Sequence, residues 1–327
     1  MSSLGDRPLS RAVRPKPEDY AYDLDRALAS VVGLRATIPA DAFTAEVLGT
    51  ERAGNGVLIR RDGVVLTIGY LVTEADSIWL TPADGPAVPG YVLAHDQTTG
   101  FGLVQALARL DVPALPLGQS DAKAAPIGEH VVVAGAGGRQ RSVAARIVGR
   151  QEFAGYWEYV LDEAIFTAPA HPNWGGTAVI GAAGTLLGIG SLQLQQALGE
   201  GQPDHLNMVV PIDLLKPILD DLLTLGRPNR PPRPWLGFYV TVIDDRVVIV
   251  GLATGGPADR AELHSGDIVL EVAGSEVNDL AEFFRHIWSL GDAGVEVPLL
   301  IHREGRTFEV RVSSGDRNQF LKRPRIH

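Results

Sequence analysis

A chain of 327 residues with 45% hydrophobic and 21% charged side chains has room for two or three domains and enough apolar surface to bury a core. That balance excludes the disordered class. The formal net charge of −10 argues against a nucleic-acid partner held through phosphates and against a polybasic membrane contact. With no cysteine in the chain, disulfides, thiolate metal sites and cysteine nucleophiles are ruled out.

Residues 1–19 are polar and proline-bearing and read as a flexible arm. They carry no apolar h-region, so no secretory signal is expected and the protein is placed in the cytoplasm. No run of about 18 apolar residues marks a membrane span. Leu24, Leu28, Val31 and Val32 fall at helical spacing, so a short helix leading into a strand completes an N-terminal region of residues 1–44.

From 45 to 225 short β-branched runs alternate with Gly, Pro and Asp, the pattern of an all-β barrel or sandwich. "RRDG" at 60–63 is a hairpin turn. "PIDLLKPILDDLLTLG" at 211–226 reads as an amphipathic helix closed by Gly226. "GRPNRPPRP" at 226–234 is a semi-rigid linker. Residues 235–314 form a second unit with a helix near 279–290 and a hairpin around Glu304-Gly305. A polar, basic tail occupies 315–327.

The order of segments resembles the HtrA/Deg family, a chymotrypsin-like double β-barrel followed by an α+β PDZ domain. The resemblance rests on "GNGVLIRRDGVVLTIGYLVTEAD" (54–76), "HDQTTGFGLVQA" (95–106), "LGQSDAKAAPIGEHVVVAGAGG" (117–138), "PNWGGTAVIGAAGTLLGIG" (172–190) and "HLNMVVPIDLLKPILDDLL" (205–223). Carried across by position, it puts the triad histidine at Tyr70, the aspartate at Gly100 and the serine at Trp174.

None of these three side chains supplies the family's chemistry. Trp174 offers only an indole N–H donor, Tyr70 is a poor base at neutral pH, and Gly100 has nothing with which to orient a base. The resemblance also places an oxyanion N–H at Pro172, which has none; one such donor is worth about 2.7–4 kcal/mol in proteases. His171, the pair His95-Asp96 and Thr177 are the only candidates near a relocated triad, and each reads better as structural. Trp174 is expected to fill the cleft against Tyr70. No His cluster has metal-ligand spacing, and Gly135, Gly137 and Gly138 lack the helix and acidic residue of a dinucleotide loop, so no metal or cofactor is expected.

"GPADRAELHSGDIVLEVAG" (256–274) resembles a bacterial-type PDZ segment, with Glu262 standing where the family ends its helix in glycine. "WLGF" (235–238) takes the place of the carboxylate-binding loop, where successive backbone N–H groups form a nest. Trp235, Leu236, Gly237, Phe238 and Val240, with Phe284 and Ile287 on the facing helix, are the expected peptide-binding residues. The resemblance thus implies an inactive HtrA-like protein that binds peptide C-termini or unfolded segments as adaptor, regulator or chaperone. Its alternative is a serine-type endopeptidase with an unconventional site. A homotrimer through residues such as Tyr20 and Tyr22, or a mixed oligomer with an active relative, is implied as well.

Overall fold

The computed structural model describes residues 9–196 and 204–322; the outer parts of the expected arm (1–8) and tail (323–327) lie outside the described residues. The chain divides into two compact units. The first runs through Gln151, resumes at Glu163 and reaches Asn229; the second gathers Glu152–Asp162 with Arg230–Leu321.

The first unit holds two closed barrels. One is made of β1 (Val31–Thr37), β2 (Glu51–Leu58), β3 (Val64–Ile68), β4 (Ser77–Thr81), β5 (Val88–His95) and β6 (Phe101–Ala106), in the order β1-β2-β3-β6-β5-β4. The other contains β7 (His130–Ala134), β8 (Ser142–Gly155), β9 (Tyr159–Ala168), β10 (Ala178–Ile180), β11 (Leu186–Gln196) and β12 (Asp204–Pro211), and repeats the same cyclic order. β4 reads exposed-buried throughout, the period-2 alternation of a barrel wall, while β3, paired between β2 and β6, is an unbroken Val-Val-Leu-Thr-Ile run covered on both faces.

Three expectations are corrected. The first barrel starts at β1, so a boundary at 45 lies too late. Residues 9–19 are ordered, because Leu9 and Val13 pack on the second barrel's core and Leu9 N–H donates to Gln140 O. The helix over 211–226 is broken into a 3-10 turn, Ile212–Leu214, and a helix, Leu219–Leu225. Pro217 lacks the N–H that would continue the ladder, and the Asp213 carboxylate turns instead to Ser120 N–H and Oγ.

The second unit is a sheet of β13 (Phe238–Ile243), β14 (Arg246–Leu252), β15 (Ile268–Val272), β16 (Ser275–Glu276), β17 (Glu296–Arg303) and β18 (Arg306–Ser313). Its order is β13-β14-β15-β17-β18, with β16 paired to β15. The helix Leu280–Ser289 starts where Asp279 Oδ1 accepts the N–H groups of Ala281 and Glu282, and it buries Ala281, Phe283, Phe284 and Ile287. Asp267, almost fully buried, is paired to Arg303.

Glu262 ends the short helix Pro257–Arg260 from the left-handed region, at φ 58°. A side chain there is strained, so Glu262→Gly is expected to stabilise the unit by about 1 kcal/mol. Thermal denaturation showing no rise, or a fall, would refute that account of the turn.

Candidate functional site

The three triad places converge. Gly100 O accepts Gly69 N–H at 2.7 Å, which ties the β5–β6 turn to the short helix carrying Tyr70. The Tyr70 hydroxyl donates to Ser191 O at 2.8 Å, and the Trp174 side chain lies near enough to act on the phenol. Burial raises the phenol further above its ordinary range, and the neighbouring Trp174 side chain offsets only part of that rise.

The loop beneath is clamped by residues that sequence reading missed. Asn55, buried in β2, donates from Nδ2 to Asn173 O and Gly175 O, and its Oδ1 accepts Ala136 N–H. Asn207, buried in β12, accepts His171 N–H at Oδ1. A Cβ on Gly176 would lie 1.9 Å from Asn55 O, and Gly176 sits at φ 75°, so only glycine fits between the loop and β2. An asparagine set directly beside the apolar end of its strand, before Val57-Leu58 in β2 and before Met208-Val209-Val210 in β12, was the available signal.

The candidates for a relocated triad do not assemble. Thr177 Oγ1 donates to Trp174 O at 2.8 Å, turned into the loop. Buried His171 accepts Asn173 N–H at Nδ1 and meets Arg141 O through Nε2, which assigns the neutral Nε2–H tautomer. Burial holds that imidazole below its ordinary value, in keeping with a structural role. Asp96 accepts the N–H and Oγ1–H of Thr99. Pro172 is exposed beside the loop. Among the described residues no group of His, Asp and Glu is arranged to hold a metal ion.

In the second unit, Gly237 takes φ 78° and aims its own N–H and that of Leu236 at one point, the nest expected for "WLGF". The point is filled. The Glu158 carboxylate accepts Gly237 N–H at 2.7 Å and Leu236 N–H at 3.1 Å. Leu236, Phe238, Val240, Phe284 and Ile287 all belong to one buried core, and Val160 packs into the same core. Trp235 is buried against Phe320, with ring centroids 4.8 Å apart. The boundary that assigned 152–162 to the barrel is thereby corrected, since these residues cluster with the second unit. A lone carboxylate within the aromatic run Phe153–Tyr159 was the signal for Glu158.

Two β-barrels of one topology followed by a small sheet-and-helix unit define a trypsin-like peptidase fold joined to a PDZ domain. Residues 54–189 match the trypsin-like peptidase domain family and residues 234–313 the PDZ domain family. Relatives include a probable periplasmic serine endoprotease DegP-like of Chlamydia pneumoniae, 24% identical over 80% of this chain and 54% of that protein. Another is the putative serine protease HhoB of Synechocystis, 25% identical over 69% of this chain and 58% of that one. The solved HtrA-type protease AlgW with a decapeptide superposes at a TM-score of 0.53, with 19% identity, over 92% of this chain and 98% of that one. In the order and kind of its two domains the chain is similar to these HtrA-type and DegP-like proteases.

The chain spans about half the length of the first curated relatives it matches. The cytoplasmic placement is overturned: relatives in Chlamydia and Hahella are named periplasmic serine endoproteases, which points to the cell envelope. Among the described residues no helix is long and apolar enough to cross a membrane.

Proposed function

We propose that the chain is an HtrA-like protein that binds peptides or unfolded segments through its PDZ domain and does not cleave them. The observation that carries this reading is the buried Tyr70 hydroxyl at the base place, which is given to Ser191 O and has the Trp174 side chain beside it at the nucleophile place. Acyl transfer requires a nucleophile that a neutral base can deprotonate and donors aimed at the developing oxyanion. Tyr70 is driven away from neutral pKa, Trp174 has no nucleophilic oxygen, and Pro172 has no N–H. The barrels then serve as a scaffold, and recognition falls to the nest at Leu236-Gly237 and the edge of β13.

The direct test is mass spectrometry of an unfolded protein such as reduced casein incubated with the purified chain. The expected result is an intact substrate. New termini absent from a blank would overturn the reading in favour of an unconventional endopeptidase.

A further inference from the structure

β13 is the edge strand of the second unit's sheet, and an edge strand offers unpaired N–H and C=O groups to an added chain. Here Val240 N–H, on β13, donates to Tyr156 O at 3.0 Å. Two residues on, the Glu158 carboxylate fills the Leu236-Gly237 nest. Two residues further, Val160 packs in the core formed by Phe238, Val240, Phe284 and Ile287. Arg285, on the helix Leu280–Ser289, closes the arrangement by pairing with both Glu152 and Asp162.

Main-chain bond to the edge strand, carboxylate in the nest and apolar side chain in the core are the three contacts a bound peptide C-terminus makes. We infer that residues 152–162 are a built-in ligand of this groove, with the Glu158 side chain standing in for a terminal carboxylate, so that an incoming free C-terminus must displace them. Glu158 holds its place from the left-handed region, at φ 60°. A residue other than glycine keeps that conformation only where surrounding contacts over-determine it. The inference rests on the peptide-binding reading given above.

The test uses the full-length chain and a pool of fluorescein-labelled decapeptides with apolar residues at the last four positions. One half of the pool ends in a free carboxylate and the other in an amide. Assayed at pH 8, Glu158→Ala empties the nest, and a charge-assisted contact of this kind corresponds to roughly 10-fold or more in affinity. The expected result is that Glu158→Ala tightens binding of the free-carboxylate pool by about that factor and leaves the amidated pool unchanged. Glu158→Gln, which keeps the volume and a neutral acceptor, is expected to fall between the two.

Hydrogen exchange at Leu236 and Gly237 gives the second readout: slow in the native chain, fast in Glu158→Ala, and slowed again by the free-carboxylate pool. Equal peptide affinities for native, Ala and Gln forms would overturn self-occupation while leaving peptide binding intact. Binding by none of the three, with the two amides newly exchanging in Glu158→Ala, would overturn the peptide-binding reading and the competition with it.

Discussion

Trp174→Ser leaves casein as intact as the native chain does. A serine at 174 regains the oxygen but none of its activation. Base and orienting carboxylate together are worth about 10⁴-fold or more in serine proteases, and Tyr70 replaces neither. Its hydroxyl proton is already given to Ser191 O, and burial moves its pKa away from neutrality. Gly100 cannot simply be made Asp, because it holds φ 84° while its carbonyl anchors Gly69 N–H; any side chain there is strained. In the proposed reading Pro172 stands where the resemblance puts a further donor, worth about 2.7–4 kcal/mol in proteases. Peptide fragments produced by Trp174→Ser alone would mean that a base and an oxyanion donor exist elsewhere in the cleft.

The second large effect concerns pH. Burial pushes the Glu158 carboxyl up from 4.5 to about 7, against the opposing pull of the Leu236, Gly237 and Phe238 N–H groups and the Arg317 guanidinium. The sign follows from proton binding: between those two values the docked segment holds a proton that the undocked one has released. Stability is therefore full below about pH 4.5 and falls as pH rises to about 7. At about 1.4 kcal/mol per unit, the loss over that window is of the order of 3 kcal/mol.

Asp267 does not blur this window. Burial, the largest single influence, would raise its pKa, but the Arg303 hydrogen bonds, the His264 N–H and the nearby positive charges together outweigh it and hold it low, so its contribution is lost only at lower pH. Chemical denaturation of the native chain at pH 5 and pH 8, with Glu158→Gln as reference, is expected to show the difference only in the native chain. A native stability that is flat, or that rises between the two pH values relative to Glu158→Gln, would contradict it.

Much of the architecture was legible in the residues, because period-2 alternation and turn chemistry are local. The hairpin at Arg60–Gly63, the helix Leu280–Ser289 and the β17–β18 turn at Glu304-Gly305 each follow from neighbours in sequence. The helix at 211–226 failed for a reason also present locally: Pro217 interrupts an apolar stripe that by itself favours helix.

Residue types alone determined that Trp174 can be no nucleophile and Gly100 no orienting acid, since that chemistry belongs to the side chain wherever it is placed. Only the tertiary structure decided that Tyr70 lies beside Trp174, that Asn55 and Asn207 hold the loop, and that Glu158 sits in the nest of Leu236 and Gly237. Those partners lie between 36 and 120 residues apart in sequence. Local patterning carries no record of such pairings; they arise when closed sheets bring distant backbone groups within hydrogen-bonding distance and exclude the water that would otherwise satisfy them.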